Sequence, residues 1–247
     1  MRVWPMKAEP EKFESESTTV WSFPNRGDWA SHKGDYRGNF SPYIPRNVIL
    51  RYSKEGDIVL DPMCGSGTTL VESKLLHRNA IGLDINKNAV ELSKNRIHFE
   101  YKTKTRQIVK LGDARKLNFK DGSIDLIVTH PPYLDIIKYN PKNKDDISNI
   151  HNINQFLEQI SLISKELYRV LKTDKYCAIL IGDTRRKGMY VPLSHEVMEV
   201  FLKTGFKLKE DVIKVQWNCK ATPYWKNLSK KYNFLLIMHE HLFIFRK

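Results

Sequence analysis

The residues best suited to chemistry lie in VTHPPYLD, residues 128–135, where His130-Pro131-Pro132-Tyr133 follows the mostly apolar run Ile124–Val128. Two prolines fix the backbone dihedrals and remove two amide donors, so a strand cannot run on and the carbonyls there are held stiffly. Tyr133 adds an aromatic face on which a planar group can stack. A second candidate is the turn Asp61-Pro62-Met63-Cys64-Gly65-Ser66-Gly67-Thr68. Its glycines allow a sharp turn and close approach to a ligand, and the helix that follows offers free amide donors. No lysine follows the second glycine, which excludes a phosphate loop of the nucleoside-triphosphatase kind. Asp84, with Ile85 behind it, comes 23 residues after Asp61 and ends another strand, where a carboxylate can accept both hydroxyls of a ribose. Asp113, followed by Ala114, ends a third strand and can take a hydrogen bond from an adenine amino group. Helix capping or turn formation competes for each acid taken singly. Three successive strand ends carrying acids outline a nucleoside pocket.

The elements that must position these residues alternate from residue 57 onward. DIVLD, NAIGLDI, QIVKL, IDLIVT and CAILIG read as strands. Between them TTLVESKLLHR, NKNAVELSKNRIHFEY and INQFLEQISLISKELYRVLK carry apolar residues at helical spacing. A helix starting at Pro45 precedes this series, and SHEVMEVFLKTG follows it, stopping at a glycine. Two late strands fall around KLKEDVIKVQ and FLLIMHEHLFIF. The alternation predicts an α/β fold with a doubly wound, mostly parallel sheet and helices on both faces. Ligands of such sheets bind at the carboxyl ends of the strands, where all four candidate loops fall.

Composition narrows the partners. Lysine and arginine outnumber acids 41 to 28, a formal net charge of +13. Residues 101–120 hold seven basic residues against one acid; residues 217–233 hold four lysines, no acid and four interleaved aromatics. Such surfaces attract polyanions through counterion release. The candidate nucleic-acid contacts fall in three segments. Arg26, His32, Lys33, Tyr36 and Arg37 belong to residues 1–43, read as a loop-like extension too polar to bury. Lys138 belongs to 134–153, and Trp217, Lys220, Tyr224, Trp225 and Lys226 to 217–233. Basic side chains would contact phosphates while aromatics stack or wedge. Three scattered cysteines, Cys64, Cys177 and Cys219, form neither a metal pattern nor a disulfide framework, and read as buried structural thiols in a reducing cytoplasm. No export signal or membrane span is read from the sequence, and no metal is expected.

VLDPMCGSGTT, GLDIN, GDA and THPPY, in that order, resemble the S-adenosylmethionine-dependent amino-methyltransferases of DNA. The resemblance covers about residues 40–205 and implies a seven-stranded sheet with its last strand inserted antiparallel. It implies a methyltransferase domain over 44–247, with insertions at 134–153 and 217–233, preceded by the extension 1–43. It assigns Asp61–Thr68 to the methionine part of the cofactor, Asp84 and Ile85 to the ribose, and Asp113 and Ala114 to the adenine. SPYIPRNVILRYS resembles the family's additional cofactor-contacting helix. His130 and the Pro131 carbonyl would accept the two hydrogens of an exocyclic amine, and Tyr133 would stack on a base rotated out of duplex DNA. His130 departs from the family, which has aspartate, asparagine or serine there. A neutral imidazole can still accept one hydrogen bond, so activity is expected to fall as pH drops through its titration. Cytosine N4 is slightly favoured over adenine N6. Methylation of RNA and a nucleic-acid-binding module without turnover remain the alternatives. Whether a cognate restriction endonuclease accompanies the protein is left open.

Overall fold

The computed structural model describes residues 7–218 and 222–247. In chain order, strand β1 (Val20–Ser22) and helix α1 (Tyr43–Tyr52) precede the alternating units β2 (Ile58–Asp61), α2 (Thr68–Leu75), β3 (Asn79–Asp84), α3 (Lys87–Ile97) and β4 (Gln107–Leu111). Then come β5 (Ile124–Thr129), α4 (Ile153–Val170), β6 (Leu171–Ile181), the short hairpin β7 (Thr184–Arg186) and β8 (Met189–Val191), α5 (Leu193–Thr204), β9 (Lys207–Val215), α6 (Thr222–Tyr232) and β10 (His239–Arg246).

The main sheet runs β1-β9-β10-β6-β5-β2-β3-β4. β10 is antiparallel to both neighbours, and every other pairing is parallel. The inserted antiparallel strand was expected, but the sheet has eight strands where seven were expected. The extra one is β1, whose Val20, Trp21 and Ser22 pair with Ile213, Lys214 and Val215. Three residues carry too little alternation to be read as a strand in advance.

Both faces of the sheet are covered. α4 presents Phe156, Ile160, Ile163, Leu167 and Val170, a one-face spacing, and packs with Val197 and Phe201 of α5 against Ile127, Ile179, Phe243 and Phe245. On the opposite face Ile44, Val48 and Ile49 of α1 meet Leu126, Val128, Leu180, Leu242 and Ile244. The two-residue alternation along β10 thus serves both layers. α5 ends at Gly205 with φ +116°, a left-handed stop that glycine takes without strain.

The segment read as too polar to bury is in fact anchored. Trp21 and Trp29 are buried, as is His32. The reason is Glu72 of α2, fully buried, whose carboxylate meets Trp29 Nε1 at 2.7 Å, His32 Nε2 at 2.7 Å and Arg46 Nη1 at 3.0 Å. Polar groups paid for by hydrogen bonds go inside, and composition alone does not reveal that pairing. Residues 134–153 carry one 3-10 turn, Ile147–Asn149, and residues 222–232 form α6, with no buried residue. Among the described residues no helix is long and apolar enough to cross a membrane.

Candidate active site

The carboxyl ends of β2, β3, β4 and β5 open onto one cleft. Asp61, Pro62, Met63, Cys64, Gly65, Ser66 and Thr68 line it from the first loop, Asp84 and Ile85 from the second, Asp113 and Ala114 from the third. His130 and Pro132 line it from the fourth.

Asp61 ties two of these loops together. Its carboxylate accepts from Thr69 Oγ1 at 2.7 Å, Thr129 Oγ1 at 3.0 Å and the Met63 amide at 3.2 Å. Thr129 immediately precedes His130, so one side chain fixes the glycine turn relative to the double-proline corner. Burial pushes the Asp61 carboxyl up to about 7, against the pull of those three bonds. Gly67 has φ +82°, and a Cβ there would lie 2.9 Å from Ser93 Oγ, which itself donates to the Gly65 carbonyl at 2.7 Å. Only glycine meets both demands.

Asp84 accepts from the Gly65 amide and the Asn86 amide, both at 2.9 Å, leaving further lone pairs on each oxygen for a diol. Burial raises its carboxyl above the usual range. Capping of α3 falls instead to Asn86, which accepts from Asn88 N. Asp113 stands on the cleft, but its two oxygens are engaged by Arg115 at 2.7–3.0 Å. Burial raises the Asp113 carboxyl, and the Arg115 bonds overcome this and hold it low.

Behind the cleft wall runs a chain of polar contacts. His130 Nε2 lies 2.5 Å from Tyr133 Oη, which donates to Glu240 Oε1 at 2.8 Å; Lys214 Nζ donates to Glu240 Oε2 at 2.8 Å. Tyr133 has one hydroxyl hydrogen. With it given to the carboxylate, the phenolic oxygen receives Nε2–H from the imidazole, whose ring also makes a backbone hydrogen bond with Gly38. Burial drives the His130 pKa down to about 4, outweighing the Glu240 charge, so the ring is neutral near pH 7. The Tyr133 ring lies against Gly182, where a Cβ would come within 2.7 Å of it. Glu240 and Lys214 escaped the sequence reading. A lone acid inside the apolar run of HEHLFIF was the available signal, because a carboxylate in a buried strand requires a partner.

The cleft also gathers residues expected elsewhere. Tyr36 was read as a nucleic-acid contact. Its ring sits 3.1 Å from the position of a Gly65 Cβ and stacks on Tyr139 at 5.8 Å, so both rings wall the cleft, joined by Phe40, Asp146 and Ile147. Two other expected contacts are corrected. His32 is buried on Glu72, and Arg26 is turned inward, half-buried, with Nη2 on the Phe40 carbonyl at 2.9 Å. Lys33, Arg37, Lys138, Trp217, Tyr224, Trp225 and Lys226 are exposed. Trp217 also donates Nε1–H to Ser22 Oγ at 3.0 Å. Lys220 and Cys219 lie outside the described residues, while Cys64 and Cys177 are buried free thiols. Arg186 joins the β7–β8 hairpin to the loop after the corner through Asp135 at 2.5 Å.

The donor set fits S-adenosylmethionine. Asp61 offers a carboxylate for an ammonium group, and Asp84 lone pairs for a ribose. The buried Thr68 Oγ1 lines the cleft without a hydrogen-bond partner among the described residues. Buried polar atoms are rarely left so unless a ligand serves them.

Comparison with known proteins bears on the family and the fold. The DNA methylase family of N6- and N4-methyltransferases matches residues 3–95 and 124–247, and a general methyltransferase-domain family matches 59–153. Type II methyltransferase M.HpaI of Haemophilus parainfluenzae is 52% identical over 84 residues, 34% of this chain and 27% of that protein. A tRNA (guanine(10)-N2)-dimethyltransferase of Methanothermobacter thermautotrophicus is 36% identical over 99 residues, 40% of this chain and 29% of that protein. The matched part of the chain thus spans less than a third of either relative. Among solved structures, a SAM-dependent methyltransferase from Methanosarcina mazei superposes with a TM-score of 0.57 at 18% identity, covering 81% of this chain and 96% of that one. TrmN from Thermus thermophilus gives 0.53 at 16%, covering 85% and 50%. These two likenesses establish the fold. With S-adenosylmethionine as its cofactor, the chain belongs to the N6/N4 DNA methylase family.

Proposed function

We propose that this protein methylates an exocyclic amino group of a base in double-stranded DNA, with cytosine N4 slightly favoured over adenine N6. The observation that carries this reading is the sharing of one cleft by His130 and Pro132 with Gly65 and Asp84. When bound, the cofactor supplies an electrophilic methyl group. An exocyclic amine is a weak nucleophile because its lone pair is delocalised into the ring. The His130 imidazole and the Pro131 carbonyl would accept its two hydrogens and turn the lone pair out of the ring plane, which is positioning and electrostatics rather than strong-base chemistry. Pro131 and Pro132 keep that carbonyl fixed. Tyr133, held by Glu240, orients the imidazole and offers its ring to a base swung out of the stack. Asp61 to Thr68 would hold the methionine part, Asp84 and Ile85 the ribose, Asp113 and Ala114 the adenine.

The duplex would dock on the carboxyl edge of the sheet. β9 runs parallel to β6, so Val215, the start of β10 and the connection bearing α6 emerge at the same edge as the cleft. Lys226, Lys230 and Lys231 of α6, with exposed Tyr224 and Trp225, are therefore placed to meet phosphates and bases. Lys33, Arg37 and Lys138 complete the basic rim. The likeness to Type II methyltransferases extends the proposal to a companion restriction endonuclease, and the buried free thiols suit the cytoplasm.

The second reading is methylation of RNA, favoured by the likeness to the tRNA guanine N2 enzyme. Incubation with methyl-labelled S-adenosylmethionine and duplex DNA, RNA or no polymer separates the two. Label in DNA is expected. Label confined to RNA would replace the first reading with the second, and label in neither, despite cofactor binding, would leave a binding module.

A further inference from the structure

One cluster of ligand-type side chains lies outside the lining of the cleft. Asp183 follows the end of β6, His195 lies in the first turn of α5, and His241 sits near the start of β10. One carboxylate oxygen and one nitrogen from each imidazole lie within 4.8 Å of one another, and His241 Nε2 stands 3.8 Å from Asp183 Oδ2.

Three features distinguish the cluster from a chance meeting. First, Asp211 Oδ1 lies 2.9 Å from His241 Nδ1. A carboxylate there favours hydrogen on Nδ1, which leaves Nε2, the nitrogen on the Asp183 side, as the one to meet a metal ion. Carboxylate support of the far ring nitrogen is the usual second partner of a metal-binding histidine. Second, Asp183 is itself held in place: its Oδ1 accepts from Ser194 N at 2.8 Å and its Oδ2 from Tyr190 Oη, with lone pairs to spare. Third, Ser194 Oγ lies 3.2 Å from His195 Nδ1, a contact that holds the second imidazole.

We propose that Asp183, His195 and His241 bind one divalent first-row transition-metal ion, with Zn²⁺ the best match to two imidazoles and one carboxylate. Bonds of about 2.0–2.2 Å put neighbouring ligands of a tetrahedral ion about 3.5 Å apart, so the cluster needs a contraction of about 1 Å. His195 can supply it, being exposed on a helix surface, while Asp183 and His241 are buried. His195 and solvent leave the site accessible, and water would complete the coordination. The ion would clamp β6, α5 and β10 together beside Glu240, the neighbour of His241 that holds Tyr133.

Tag-free protein stripped with chelator is titrated with Zn²⁺, and separately with Co²⁺ read by its visible absorption. The expected result is one saturable site, with micromolar or tighter affinity for Zn²⁺ and no displacement by millimolar Mg²⁺, an oxygen-seeking ion. His195→Ala alters an exposed side chain, so its fold and cofactor affinity are expected to be retained while Zn²⁺ affinity falls at least about tenfold. Asp183→Asn, checked for folding by circular dichroism, is expected to show the same loss. Absence of saturable binding up to about 1 mM, or wild-type affinity in His195→Ala, overturns the proposal.

Discussion

At the scale of single residues, the unusual feature is a histidine where the family places an acid, an amide or a hydroxyl. Its ring stays neutral because burial holds its pKa near 4, and Tyr133 occupies Nε2. The sign of the pH effect follows. Protonation removes any acceptor capacity of the ring and would place a cation near a sulfonium, so turnover at saturating cofactor should stay level from about pH 8 to about 5.5 and fall only as pH approaches 4. Loss of turnover centred near 6.5 would mean that the imidazole titrates as a solvated group. This corrects the sequence expectation, which placed the fall at the ordinary histidine titration; burial moves it.

Asp61 behaves in the opposite sense. Its carboxyl, raised to about 7, is partly protonated at neutral pH in the free protein. An ammonium partner favours the carboxylate, so cofactor affinity should rise as pH goes from about 6 to about 8 and level off above, with binding releasing a proton. Calorimetry in buffers of different ionisation enthalpy measures that proton directly, and equal apparent enthalpies in all buffers would contradict it. Tyr133→Phe should leave cofactor affinity intact and lower kcat by about 10- to 100-fold, the worth of roughly 1–3 kcal/mol for a buried hydrogen bond. Equal losses in both quantities would assign the hydroxyl to the cofactor pocket.

At the scale of elements, the strand-helix alternation was legible because each unit carries its own period. β2 to β5 and α2 to α4 stand where the pattern put them within a few residues. β6 covers most of CAILIG but begins six residues earlier, at Leu171. The acids at or just after the ends of β2, β3 and β4 line one cleft. What was not legible depends on pairing between distant segments. β1 is too short for any period, and Trp29 and His32 look like surface residues until Glu72 is known to wait beneath them. Tyr36 was visible as an aromatic, but nothing local says that it faces Gly65 rather than a nucleic acid. The buried Glu72 anchor also yields a prediction. Glu72→Ala removes the buried partner of Trp29 and His32 and leaves Arg46 with half-exposed Glu9 alone, at a cost of about 3 kcal/mol or more, so the melting temperature should drop by several degrees. An unchanged melting temperature would show that the extension contributes nothing to the fold. Gly67→Ala should cost more than about 1 kcal/mol and weaken cofactor binding, through φ +82° and the Ser93 contact together.

At the scale of the whole molecule, the charge of +13 is spread unevenly. Lys102, Lys104, Arg106, Lys110, Lys116 and Lys120 are exposed on and around β4, an edge strand, where lysines also discourage sheet-to-sheet pairing. The lysines of α6 lie on the carboxyl edge with the cleft. These two groups answer to different tests. Replacing Lys226, Lys230 and Lys231 together should reduce the slope of log Kd for duplex DNA against log salt by about two to three, whereas replacing Lys102, Lys104 and Lys120 should leave it nearly unchanged. The reverse pattern would move the docking face to β4.

The central claim is that one cleft brings a sulfonium methyl to an exocyclic amine of DNA. Mass spectrometry of nucleosides released from duplex DNA after incubation with the protein and S-adenosylmethionine tests it most directly. The account predicts N4-methyldeoxycytidine or N6-methyldeoxyadenosine, absent with Tyr133→Ala. Methylation at a ring carbon, or unmodified DNA beside an active protein, would contradict it.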